Sequence, residues 1–164
     1  MADTTDTTDA SGSTETTGTA ETAEVPFRIL PKIDEGNRFF WTSGGDGRLR
    51  FLRCQNCGYY IHPPLPLCPR CHSKRLEPEA VSGRATVATF SINYQPWMPG
   101  PELPYVVAIV EIEEQPEMRL TTNIVNCAPD AVRAGLAVRV VFERHPDEPD
   151  DVYLPLFEPR QEER

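Results

Sequence analysis

The sequence has 164 residues, of which 39% are hydrophobic, and a formal net charge of −9. That length allows one or two small domains. No apolar run approaches the ~18 residues that a membrane-spanning helix needs, which excludes such a helix. The N-terminus also has neither the basic nor the apolar region of a secretory signal, so we expect a cytoplasmic protein with no membrane partner.

Residues 1–25 are predicted to be a disordered, acidic, threonine-rich tail. Residues 1–24 carry six acids, no Lys or Arg, and no Val, Ile, Leu or aromatic residue. A segment of this composition cannot bury enough apolar surface to offset the entropy lost on ordering. No function is assigned to it.

Residues 26–47 are predicted to be a helical segment. Asp34 is placed to cap a helix that runs to about Ser43, and the glycine-rich run that follows ends it. This helix carries three adjacent aromatic residues, Phe39, Phe40 and Trp41. Either the helix packs on its own domain, or it is too short to bury all three and some of them contact a partner or ligand.

Residues 48–81 are predicted to form a zinc ribbon. An alternating strand over 48–53 leads into two Cys-x-x-Cys pairs that are ten residues apart. The four predicted metal ligands are Cys54, Cys57, Cys68 and Cys71. Two such turns complete a four-sulfur shell, so we expect one structural Zn²⁺ per chain, with an iron–sulfur cluster as the alternative. Disulfides are disfavoured in a chain without an export signal.

Residues 82–160 are predicted to form a five-stranded barrel of the OB type. The candidate strands are 84–94, 105–114, 118–126, 137–144 and 152–157, with one helical turn at Pro129 between the third and fourth. A short helix in that place fits the OB barrel, while a β-sandwich of similar size is the structural alternative. Cys127 is interpreted as a small hydrophobe rather than a nucleophile paired with His145.

Two features of the sequence are candidate contacts for a ligand or a partner. Residues 25–81 have a net charge of +4, and six of their cationic side chains either meet the phosphates of a ligand or form a solvated face. They are Arg48, Arg50, Arg53, Arg70, Lys74 and Arg75. The proline-rich loop 95–104 places Trp97 and Met98 between the first two barrel strands. Trp97 either closes the end of the barrel or docks on a partner.

Nucleic acid is predicted not to be a partner. Residues 82–164 have a net charge of −7, and loop 145–151 carries four acids where OB folds often bind oligonucleotides. A nucleic-acid-binding zinc-ribbon and OB-fold protein is the alternative function.

From about Ile33 to Arg160 the sequence resembles the zinc-ribbon/OB-fold acyl-CoA-associated proteins, a family long described as a domain of unknown function. The resemblance rests on the order of several motifs. They are Gly47-Arg48-Leu49, Cys54-x-x-Cys57-Gly58, Pro63-Pro64, Cys68-Pro69-x-Cys71, Val81-Ser82-Gly83-Arg84-Ala85-Thr86-Val87, Pro104-Tyr105-Val106-Val107-Ala108-Ile109-Val110, Gly135-Leu136-Ala137-Val138-Arg139-Val140 and Leu154-Pro155-Leu156-Phe157.

This resemblance implies a mainly β protein with a short N-terminal helix, a rubredoxin-like zinc ribbon and an OB-fold barrel. It also implies a subunit that is not an enzyme by itself. Members of the family accompany thiolase-superfamily enzymes, including an aldolase that shortens sterol side chains, or enoyl-CoA hydratases. The expected function is therefore support of such an enzyme in a hetero-oligomer, through partner binding and the binding or channelling of acyl-CoA.

Overall fold

The computed structural model describes residues 28–97 and 102–160, so the predicted tail and Met98 lie outside the described residues. Its elements, in chain order, are α1 (Arg38–Trp41), a 3-10 turn (Ser43–Asp46), β1 (Arg50–Cys54), β2 (Tyr60–Ile61), β3 (Leu76–Ala80), β4 (Arg84–Asn93), β5 (Tyr105–Ile112), β6 (Arg119–Ile124), a 3-10 turn (Pro129–Ala131), β7 (Ala137–His145) and β8 (Val152–Pro159). Within the described ranges, no helix has the length and apolarity to cross a bilayer.

The first three strands form a small antiparallel sheet in the order β2-β1-β3. Arg50 pairs with Ala80 at one end of β1, and Cys54 pairs with Leu76 at the other. The metal-site cysteines therefore begin where the sheet ends. This sheet is the predicted ribbon.

The other five strands close into a barrel in the order β4-β5-β6-β8-β7, with β4 also pairing with β7. Alternate residues of β5, from Val106 to Ile112, are buried in the core, as a strand with one face inward requires. A 3-10 turn that contains Pro129 joins the third and fourth barrel strands. The mainly β fold with a ribbon before an OB barrel is therefore confirmed, and the sandwich alternative is wrong.

The ribbon and the barrel share one hydrophobic core. Phe51 of β1 and Tyr60 of β2 are buried in the same cluster as barrel residues such as Val110 and Phe157. The side chain of Gln115, in the turn after β5, also pairs with the backbone of Tyr60. Tyr60 N–H donates to Gln115 Oε1 at 2.8 Å, and Gln115 Nε2 donates to the Tyr60 carbonyl at 3.1 Å. This bidentate contact fixes the ribbon on that end of the barrel.

The predicted helix from Asp34 to Ser43 is wrong in its length. Asp34 Oδ1 accepts hydrogen bonds from the backbone N–H groups of Gly36 and Asn37, so this residue caps the turn that precedes α1. The helix itself is only four residues long. A Cβ on Gly44 would lie 2.4 Å from the Cβ of Tyr153, so glycine is required where the 3-10 turn lies against the barrel.

Candidate metal centre and partner surfaces

Two similar turns hold the four predicted cysteine ligands. The first starts at the end of β1, where Gly58 N–H donates to the Cys54 carbonyl at 2.8 Å. In the second, His72 N–H donates to the Cys68 carbonyl at 2.9 Å. Gly58 and His72 both have positive φ, 73° and 56°, so the chain reverses at the residue after each pair. The repeated turn explains why a two-residue gap points both thiols of a pair to the same place.

The four sulfur atoms lie in one cluster. All of them are within 4.8 Å of one another. Sγ of Cys54 lies 3.5 Å from Sγ of Cys71, and Sγ of Cys57 lies 3.6 Å from Sγ of Cys68. A disulfide would bring two sulfurs to about 2.05 Å, whereas tetrahedral bonds of ~2.3 Å to zinc place them ~3.8 Å apart. The donor set therefore fits a tetrathiolate metal site.

Polar groups beside Cys71 favour the thiolate form of this residue, which is the form that a metal requires. Asn56 Nδ2 donates to Cys71 Sγ at 3.5 Å, and Arg75 Nη2 holds that amide by donating to Asn56 Oδ1 at 3.0 Å. The backbone N–H of Ser73 and then the Asn56 amide lower the pKa of Cys71 to about 6. Neither Asn56 nor Arg75 is recognisable from the sequence as a contributor to this site, because each acts through a contact made in the folded ribbon.

Neither histidine near the cysteines belongs to the sulfur cluster. The ring of His62 lies 5.0 Å from that of Phe40 and 5.2 Å from that of Phe51, between centroids. Burial among these aromatic groups lowers the pKa of His62 to about 4. His62 is thus a neutral packing residue at neutral pH, and His72 is exposed.

The aromatic residues of α1 lie on the core. Phe40 is 3% exposed and packs inside the core, so its predicted contact with a partner or ligand is wrong. Phe39 and Trp41 are half-buried and pack against the same cluster. Four residues are enough to bury Phe40 because the ribbon sheet supplies Phe51 and His62 on its other side.

Trp97 lies at the protein surface. Trp97 is 78% exposed, and its indole Nε1 donates to Asn93 Oδ1 at 2.8 Å. The interpretation that Trp97 closes the barrel end is therefore wrong. Three more exposed apolar residues belong to the same β4–β5 hairpin, namely Tyr94, Leu103 and Val107. We call these four residues the hairpin surface.

The predicted phosphate contacts differ in their availability. Arg50 donates to Asp46 Oδ1 at 2.8 Å, and this hydrogen bond lowers the pKa of Asp46 to about 2. Arg53 forms an ion pair of 2.6 Å with Glu79. Arg48 is exposed and forms no ion pair among the described residues. Glu79 reaches Arg53 through the register of β1 against β3, which the sequence did not reveal, whereas Asp46 lies only four residues before Arg50.

The acidic loop 145–151 and Cys127 also have defined surroundings. Asp150 forms an ion pair with Arg38, and Asp151 forms one with Arg144, so two of the four acids in the loop are paired. Cys127 packs against the core, and burial raises the pKa of its thiol. His145 Nε2 instead contacts Glu143 Oε1 at 2.7 Å. No described contact makes Cys127 and His145 a nucleophile–base pair.

Two family profiles match adjoining parts of the chain. Residues 41–77 match the rubredoxin-like zinc ribbon domain of ChsH2, and residues 78–143 match the C-terminal OB-fold domain of ChsH2. Together the two profiles cover most of the residues from α1 to β7.

Individual relatives agree with these matches. A DUF35 domain-containing scaffold protein of Methanocaldococcus jannaschii is 38% identical over 102 residues, which cover 61% of this chain and 71% of that protein. A probable enoyl-CoA hydratase alpha subunit of Thermomonospora curvata is 36% identical over 132 residues, 80% of this chain but 40% of that protein. The chain thus spans less than half the length of that relative.

A solved structure shows the same architecture. A chain of the Ltp2-ChsH2(DUF35) aldolase superposes with a TM-score of 0.68 at 35% identity, and the match covers 79% of this chain and 98% of that one.

Proposed function

The chain belongs to the family of ChsH2-type zinc-ribbon and OB-fold proteins that includes the DUF35 scaffold proteins, and on this premise we propose that it is a non-catalytic subunit of an acyl-CoA-processing complex. The proposed partner is a thiolase-superfamily aldolase or an enoyl-CoA hydratase. The observation that carries the proposal is the match to almost the whole of a chain from the Ltp2-ChsH2(DUF35) aldolase.

The proposed role of the metal is structural. Cys54, Cys57, Cys68 and Cys71 would hold one Zn²⁺, which supplies a cross-link between the two turns of the ribbon. Four protein thiolates fill a tetrahedral shell, so no position is left for a water molecule or a substrate. Cys54 and Cys68 are also buried. These features support a site that stabilises the ribbon rather than one that performs chemistry.

The proposed docking site for the partner enzyme is the hairpin surface. Trp97 is a residue type that often dominates interface energetics, and here it is exposed in the isolated chain. Its indole N–H is already satisfied by Asn93, so burial of the ring would leave no donor unpaired. Pro96 and Pro104 restrict the chain on either side of the loop, which reduces the entropy lost on docking.

Contact with acyl-CoA is proposed at Arg48. Unlike Arg50 and Arg53, it forms no ion pair among the described residues, so binding a phosphate there would break no ion pair. Arg48→Ala is expected to raise the KM of the complex for its acyl-CoA without dissociating the subunits. An unchanged KM would remove Arg48 from the proposal.

Co-expression tests the proposed function. The full chain is produced with a thiolase-like or hydratase subunit from the same organism, and complex formation is measured by size-exclusion chromatography with light scattering. We expect a stable hetero-oligomer, turnover of acyl-CoA by the complex and none by this chain alone. Separate elution of the two chains, or full turnover by this chain by itself, would contradict the proposal.

A further inference from the structure

The outer part of the ribbon combines two surface properties that the metal site does not use. We call residues 54–75 the ribbon tip. It contains no Asp or Glu, although the whole chain contains 25. It also carries two exposed leucines and three exposed cationic side chains. Such a combination is unusual for a solvated loop in an acidic chain.

The leucines lie on a stiff segment. Leu65 is 43% exposed and Leu67 is 38% exposed. Prolines at 63, 64 and 66 fix φ around them. The segment starts at His62, whose ring is held between aromatic groups of the core, and ends at the buried Cys68. Both ends are therefore anchored, and the two leucines are presented with little conformational freedom to lose on binding.

The cationic side chains are Arg70, Lys74 and Arg75, and none of them forms an ion pair among the described residues. Arg70 lies 5.3 Å above the ring of Tyr59, and Arg75 donates to Asn56. A zinc ion with four thiolates carries a formal charge of −2. With the three cations, the metal-loaded ribbon tip keeps a formal charge of +1, and its positive groups are the exposed ones.

The ribbon tip and the hairpin surface are far apart. β5 runs from the hairpin at Tyr105 to the turn that contains Gln115, and this turn contacts the ribbon at Tyr60. Seven steps along a strand at about 3.3 Å each separate the two ends of β5 by roughly 23 Å. The ribbon tip is thus not an extension of the hairpin surface.

We infer that the ribbon tip is a second docking surface, whose occupant is a protein face with an apolar centre and an acidic rim. This inference rests on the proposed function, because it places the occupant on the partner enzyme. Charge complementarity selects an acidic rim, and the two leucines require apolar contacts that a free phosphate or a nucleic-acid backbone does not offer. Residues 1–24 are acidic, but they contain no Val, Ile, Leu or aromatic side chain to cover the leucines.

Two variants of the full chain test the inference, each in complex with the partner subunit described above. Arg70→Glu with Lys74→Glu reverses two charges of the ribbon tip. Its matched control is Lys32→Glu with Arg133→Glu, which makes the same charge change at exposed positions without ion pairs among the described residues. Leu65→Ser with Leu67→Ser removes the apolar contacts. Zinc content and thermal unfolding of each variant verify that the ribbon remains folded.

We expect the ribbon charge reversal to weaken binding about tenfold at low salt, mainly by slowing association, and to lose most of this effect at high salt. The leucine variant should weaken binding at least tenfold, mainly by faster dissociation and at all salt concentrations. The control should bind like the unmodified chain.

Each contrary result has a separate meaning. If the unmodified chain forms no complex, the proposed function fails, and this inference fails with it. If the complex forms but both ribbon variants bind normally, only the inference fails. The proposed occupant is wrong if only the charge reversal weakens binding, because the two leucines would then contact no apolar face of the partner. It is also wrong if deletion of residues 1–24 tightens binding to the partner and abolishes the effect of the charge reversal, because the tail would then be the occupant.

Discussion

Replacement of Trp97 by alanine tests whether this residue docks on a partner or stabilises the fold. Trp97 is 78% exposed, so about a fifth of its surface is removed from water in the isolated chain. A tryptophan carries up to about 250 Å², and the ~50 Å² already buried is worth roughly 1 kcal/mol. The free energy of unfolding of the isolated chain should therefore fall by no more than about 1 kcal/mol.

The same substitution should have a larger effect on the complex. Docking would bury the remaining ~200 Å², and interface residues of this type commonly contribute about 2–4 kcal/mol. The Kd for the partner subunit should then rise by roughly 30- to 1000-fold. Isothermal titration calorimetry or biolayer interferometry with the purified partner measures this change.

Trp41→Ala is the matched control for Trp97→Ala. Trp41 is half-buried, and its ring meets that of Phe40 edge to face with centroids 4.8 Å apart. Its removal should lower the free energy of unfolding by about 2 kcal/mol. If Trp97→Ala instead lowers the melting temperature as much as Trp41→Ala and leaves the Kd unchanged, the assignment of the hairpin surface to docking is refuted.

Four further results are expected. Cys57→Ser should lose most of the roughly one zinc per chain and unfold the ribbon, as measured by elemental analysis and circular dichroism, whereas Cys127→Ser should keep the metal. Stoichiometric iron in the purified chain would contradict the assignment of zinc to this site. Gln115→Ala should speed hydrogen exchange of the ribbon amide that it holds and cost about 1–3 kcal/mol, and unchanged exchange would show that this contact does not hold the ribbon. Burial would raise the pKa of Glu143, but hydrogen bonds from Arg28 and then His145 lower it. The contribution of Glu143 to stability is therefore complete above the ordinary glutamate pKa of about 4.3 and is lost as the pH falls through its folded-state pKa. Glu143→Gln should be less stable than the unmodified chain at neutral pH and equally stable in acid, and a difference in stability that does not change with pH would exclude this linkage. Single-stranded oligonucleotides should bind negligibly at physiological salt, and submicromolar, salt-sensitive binding by fluorescence anisotropy would favour the alternative nucleic-acid function.

The sequence predicts those parts of the fold that depend on local pattern. The spacing of the cysteines predicts the two turns because each turn is made by residues close together in the chain. The run of β-branched residues after Tyr105 predicts β5, since such residues suit a strand that packs in its own barrel. Pro129 marks the short turn between β6 and β7 because its fixed φ suits the start of a helical turn.

Features that depend on distant contacts are not predictable in this way. Phe40 is buried because Phe51 and His62 meet it from the ribbon, and neither contact is visible in the local sequence. The register of β1 against β3 places Glu79 near Arg53, which forms an ion pair with it. The Gln115 contact with Tyr60 joins residues 55 positions apart. The exposure of Trp97 also depends on how the hairpin leaves the barrel.

Hydrogen–deuterium exchange of the full chain, with and without its partner subunit, tests the docking proposal most directly. We expect the amides of residues 94–104, which join β4 to β5, to become protected in the complex while those of the barrel strands stay unchanged. Protection confined to other surfaces, with the hairpin exchanging as fast in the complex as in the free chain, would contradict it.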